Sequence, residues 1–223
     1  WEPALDGADR VFLMAPDGVA VDPAFVRLAE DLKVRRVVLL SSRSIEAMGD
    51  ERLLTAERLV TQSALGWTIV RSDWFDQNFD EGPFRDAVRA GELAVPLGDI
   101  RQTFVDLEDV AAVVVQALLD DAHLHRTYEV TGPQALSFGE ACAVISAAAG
   151  RPLTFHGSPD RYRDTQLALG RAEEEVAAEN AAFEALRGLG DSEPLDTVPR
   201  VTGRPARSFE EYAGTAAMAG RWA

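Results

Sequence analysis

Arg35-Arg36-Val37-Val38-Leu39-Leu40-Ser41-Ser42 holds an uninterrupted aliphatic run, Val37 to Leu40, between two arginines and two hydroxyl residues. A strand wetted on one face alternates apolar and polar side chains, so this run predicts a strand buried on both faces of a parallel sheet. Upstream, Val11-Phe12-Leu13-Met14 has the same character and is closed by Ala15-Pro16-Asp17-Gly18; downstream, Trp67-Thr68-Ile69-Val70 follows Gly66. Asp22-Pro23 offers an N-cap with proline in the first turn, and Phe25, Leu28, Ala29 and Leu32 repeat at helical spacing. Leu53, Leu54, Ala56, Leu59 and Val60 mark a second helix over 50–63. Strands that alternate with helices must pair in parallel through right-handed crossovers, which puts helices on both sheet faces. The fold class is α/β, a doubly wound and mostly parallel sheet.

The opening residues 1–10 read as the tail of a helix and its turn. Beyond the third strand the pattern predicts a short helix at 83–90 and a strand at 102–105. Asp106 then caps a helix reaching 119, with Glu108 and Asp109 at its positive end. A strand at 127–130 precedes Ser137-Phe138-Gly139-Glu140, a capping box that opens the next helix. A strand at 153–156, a helical stretch at 159–189, a loop at 192–204 and a closing helix at 208–219 complete the chain. Residues 1–150 read as the core, and 151–223 as a small α-rich lobe packed with it as one unit.

The 223 residues carry 37 acidic against 22 basic side chains, a formal charge of -15 that would repel a phosphate backbone and argues against nucleic-acid partners. Cys142 is the single cysteine, which excludes an internal disulfide, and its apolar helical setting predicts a buried thiol. His123, His125 and His156 have no metal-ligand spacing, so no metal is expected. No apolar run approaches the roughly 18 residues that would suggest a membrane span, and no signal peptide opens the chain; a cytoplasmic protein without membrane contact is expected.

Parallel strands deliver their carboxyl ends to one edge, where ligands of open α/β sheets bind. That edge should collect Ala15-Pro16, Ser41-Ser42 and Ser72-Asp73-Trp74-Phe75, small and hydroxyl residues that let a flat ligand approach the backbone. A glycine-rich phosphate turn after a strand is missing: Gly188-Leu189-Gly190 lacks the third glycine and follows a helix. No P-loop and no G-x-S-x-G elbow occur. Lys33 is the single lysine and Ala29 stands four residues before it, so a tyrosine–lysine proton-transfer pair is excluded.

Six segments in chain order then carry a family likeness: residues 4–16, 35–42, 56–79, 102–118, 126–146 and 198–213. Together they resemble the NmrA-like branch of the atypical short-chain dehydrogenases, NAD(P)-binding Rossmann-fold proteins that include quinone and azo reductases and redox-sensing regulators. The resemblance implies NAD(P) as cofactor, NADP favoured over NAD, with Ala15, Pro16, Ser41, Ser42, Ser72, Trp74 and Phe75 as its contacts and Asp73, Asn78 and Phe104 on the substrate side. Relatives read R-P-x-x-F-x-x-N where this chain has Arg71-Ser72-Asp73-Trp74-Phe75-Asp76-Gln77-Asn78, and related reductases place a lysine near Leu53. No catalytic residue is assigned.

Family members begin with a glycine-rich turn, and this chain enters after the third strand of that plan. About 60 to 70 further residues would supply the missing half, and residues 1–223 alone should bind dinucleotide weakly or not at all. The strand at 11–14 should form a sheet edge open to self-association. The leading expectation is reduction of a small apolar molecule such as a quinone or azo compound. A non-catalytic redox sensor acting through a protein partner is the second, and sugar-nucleotide epimerisation, which needs the missing tyrosine and lysine, the last.

Overall fold

The computed structural model describes residues 1–16 and 18–223; Asp17, part of the expected turn after the first strand, lies outside the described residues. The chain opens with α1 (Glu2–Leu5), β1 (Arg10–Leu13), α2 (Pro23–Asp31), β2 (Arg36–Ser42), α3 (Ile45–Met48), α4 (Glu51–Thr61) and β3 (Gly66–Ser72). It continues through α5 (Arg85–Ala90), β4 (Glu92–Ala94), β5 (Arg101–Gln102), α6 (Leu107–Leu119) and β6 (Arg126–Val130). The rest is β7 (Leu136–Ser137), α7 (Phe138–Ala149), β8 (Thr154–His156), α8 (Pro159–Ala168), α9 (Glu173–Gly188), α10 (Thr197–Thr202) and α11 (Phe209–Met218).

Two compact units interleave along the sequence. Trp1–Ser72, Glu108–Val130 and Thr197–Arg204 form the first; Asp73–Leu107, Thr131–Asp196 and Pro205–Ala223 form the second, so residue 150 falls inside the second.

The first unit is a four-stranded sheet in the order β1-β2-β3-β6. Every pair is parallel, with Leu13 opposite Leu39, Ser42 opposite Ser72 and Ser72 opposite Val130. Alternation along β2 sends Val37, Leu39 and Ser41 to the face where Val26 and Ala29 of α2 and Ala56 and Val60 of α4 build the core. Arg36, Val38 and Ser42 take the opposite face, where Arg36 reaches the end of α6. Asp22 caps α2 through the Ala24 amide at 2.7 Å with Pro23 in the first turn, as its local chemistry predicts.

The second unit holds two short sheets, β4 parallel to β8 and β5 antiparallel to β7. Ser137 and Glu140 form the predicted capping box on α7. Three expectations need correction. The stretch 159–189 is two helices, because Gly170 at φ +82° turns the chain after α8 in the left-handed region that favours glycine. The expected loop 192–204 contains α10, anchored by fully buried Val198. The expected strand 102–105 pairs only over Arg101–Gln102, while Val105 bridges singly to Phe75.

Candidate functional site

In the first unit the parallel register brings Ser41, Ser42 and Ser72 to the carboxyl ends of β2 and β3, and Ala15 and Pro16 follow β1 after Met14. The backbone prolongs this edge, since the Arg43 amide donates to Ser72 O at 3.0 Å. The two neighbouring serines differ. Ser41 is buried and its hydroxyl donates to Glu57 Oε1 at 2.6 Å, whereas Ser42 is half-buried on the opposite face. Ser72 is buried, its hydroxyl directed at Ser41 O at 3.4 Å.

Glu57 is a residue that the strand-end argument does not reach. Its carboxylate also accepts from Arg71 Nε at 2.9 Å and Arg71 Nη2 at 2.7 Å, and the Arg71 guanidinium pKa is raised, first by that hydrogen bond. A signal exists in the sequence: Leu53, Ala56, Glu57 and Val60 share one helical stripe, so an acidic residue stands among core positions.

The second unit carries the other candidates. Asp73 is buried; its Oδ1 accepts from the Trp74 amide at 2.9 Å and its Oδ2 from the hydroxyls of Thr103 and Ser192. Trp74 is half-buried, its indole donating to Gln102 Oε1 at 3.2 Å, with Phe183 stacked 6.3 Å from it and Phe138 edge-on at 5.4 Å. The Val105 amide donates to Trp74 O at 2.8 Å, which fixes the segment before a 3-10 turn at Asp76–Phe79 that carries Asn78. Phe104 is 3% exposed, its ring packed against Phe79, Phe138 and Phe209 in the aromatic core. Thus Asp73, Trp74, Phe75 and Asn78 share one loop, and Phe104 belongs to the packing beneath.

A cleft of about 370 Å³ in the second unit, lined by Asp80, Glu81, Arg85, Arg89 and Arg221, includes none of these residues. Among the described residues no group of His, Cys, Asp and Glu is arranged to hold a metal ion, and no helix is long and apolar enough to cross a membrane.

Small side chains at Ala15 and Pro16 beyond the end of β1, and at the end of β2 the hydroxyl of Ser42, which has no hydrogen-bond partner among the described residues, suit the ribose and linker of a dinucleotide. The phosphate-binding turn that would complete such a site is not among residues 1–223. Fold and strand-end chemistry define a Rossmann-like α/β protein of the nucleotide-binding class.

No protein-family model matches the sequence. The chain is 36% identical to an NAD(P)H azoreductase of Xenophilus azovorans over 232 residues, 97% of this chain and 78% of that protein. An NADPH-dependent quinone oxidoreductase of Escherichia coli, solved with NADPH, superposes with a TM-score of 0.80 at 17% identity, covering 96% of this chain and 78% of that one. The negative transcriptional regulator NmrA, solved with NADP, gives 0.70 at 19% identity over 99% and 77%. The chain belongs to the NmrA-like family of atypical short-chain dehydrogenases.

Proposed function

We propose that the protein is an NAD(P)H-dependent reductase of small apolar acceptors, quinones or azo compounds. The observation that carries this reading is the azoreductase likeness across almost the whole chain, and the strand ends of the first unit support it. When bound, the dinucleotide supplies the hydride. The chain's own part is to bind and orient: Ala15, Pro16 and Ser42 lie along the ribose side, and the loop from Asp73 to Asn78 serves the acceptor. In this reading residues 151–223 form a substrate-side lobe. With Lys33 as the single lysine, the proton that completes the reduction comes from water. Such an enzyme draws on the reduced dinucleotide of the cytoplasm.

The test, on full-length protein that includes the family's glycine-rich turn, is oxidation of NADPH and NADH followed optically with a panel of quinones and azo dyes. Acceptor-dependent oxidation is the expected result. Dinucleotide binding with no turnover on any acceptor would overturn the reductase and favour a redox sensor.

A further inference from the structure

Glu57 is 8% exposed, and a carboxylate taken out of water is retained only when its oxygens are answered by donors. Ser41 and Arg71 supply them, and these two residues are ladder partners on β2 and β3. One side chain of α4 therefore ties two adjacent strands together at their carboxyl ends. The bond spends the Ser41 proton on the α4 side of the sheet. Ser42, next in the chain and on the opposite face, has its hydroxyl available, and any movement of Ser41 carries Ser42 with it.

We infer that Glu57 is a positioning residue of the dinucleotide site, which holds the ends of β2 and β3 so that Ser42 rather than Ser41 presents its hydroxyl to the cofactor. The inference rests on the reductase reading above. Ser41 and Arg71 transmit the effect, and Glu57 itself touches no ligand. Two consequences differ from those of a merely structural salt bridge: cofactor affinity moves more than turnover, and Ser41 and Glu57 act as one unit.

The experiment is a fluorescence titration with NADPH of wild type, Ser42→Ala, Ser41→Ala, Glu57→Gln and the double variant Ser41→Ala/Glu57→Gln, with kcat measured alongside. Glu57→Gln keeps an acceptor for Ser41 and removes the charge that pairs with Arg71. Loss of the Ser42 hydroxyl should raise Kd about tenfold, the weight of one hydrogen bond. Glu57→Gln should raise it about fivefold with kcat changed less than about twofold, and the double variant should be no worse than the weaker-binding single. Additive losses in the double variant, equal losses in kcat and Kd, or a Ser42→Ala protein that binds like wild type would each overturn the inference. Should Glu57→Gln fail to fold, Ser41→Ala, which removes only the hydrogen bond to Glu57, still decides: a Kd equal to that of wild type would overturn the inference. Because the phosphate-binding turn is not among residues 1–223, all of these titrations use protein that carries the family's glycine-rich turn ahead of them; a wild type of that kind that binds neither NADPH nor NADH would instead bring down the reductase reading itself.

Discussion

Arg36 Nη1 donates to the carbonyl oxygen of Ala117 at 2.7 Å, so a strand residue only 3% exposed closes the carboxyl end of the helix lying over it. The same nitrogen reaches Asp120 O at 2.8 Å, and Nη2 pairs with the Asp121 carboxylate. The last carbonyls of a helix have no partners within it and favour a cation. Arg36→Met should cost about 3 kcal/mol, because it strands buried acceptors. Asp121→Asn should cost less than about 1 kcal/mol, since Asp121 is 77% exposed and its pairing is screened. Urea unfolding of both variants checks the contrast, and equal costs would refute it.

Gly132 lies against the backbone of Phe104, with the position of an added Cβ only 1.9 Å from Phe104 O. No side-chain rotation relieves a clash with backbone. Gly132→Ala should destabilise by about 2 kcal/mol or more. Gly214, inside α11 with nothing within 4 Å of its added Cβ, is the control: Gly214→Ala should stabilise by about 0.5 to 1 kcal/mol. Thermal unfolding of the two variants should move in opposite directions, and a common sign would defeat the argument.

Glu179 accepts two hydrogen bonds from Arg171, both at 2.7 Å, and one from the Tyr162 hydroxyl at 2.6 Å. Burial alone would raise its pKa, but the Arg171 and Tyr162 bonds outweigh it and hold the carboxyl below its ordinary 4.5. A carboxyl lowered on folding adds stability above the unfolded value, and that stability is lost as pH falls through the folded one. Glu179→Gln should therefore cost about 1 kcal/mol at neutral pH, kept small because the side chain is 37% exposed. At acid pH, below the folded value of the carboxyl, wild type and variant should converge, since protonation removes the same charge. Denaturant melts at both pH values test this; a cost that grows on acidification would show the sign to be wrong.

What could be read in the sequence was what short-range chemistry decides. The run before Ser41-Ser42, the Asp22-Pro23 start of α2 and the capping box of Ser137 with Glu140 each state their conformation within a few residues. The β4 and β8 pair was beyond reach in its pairing, because three-residue strands about 60 residues apart carry no periodic signal of their own. The candidate site divides in the same way. Strand ends locate Ser41, Ser42 and Ser72, but the donors that surround Asp73 come from Thr103 and Ser192, which only the folded chain brings near. Glu57 is the intermediate case, visible as an acid on an apolar stripe yet without a partner until β2 and β3 lie side by side.

Cys142 is 1% exposed on α7, and burial pushes its thiol up to about 12. The thiolate is the reactive form, so at neutral pH the folded protein offers a disulfide reagent almost no nucleophile and no path to it. Reaction then requires an opening of the second unit, and its rate follows the population of the open form. Labelling of native protein should be slower than in denaturant by about a thousandfold or more. Gly132→Ala acts on the same unit, and a loss of about 2 kcal/mol should quicken native labelling by about thirtyfold if opening is cooperative. Labelling complete within the mixing time, or unchanged in that variant, would show that Cys142 is reached by a local route that the packing of α7 does not provide.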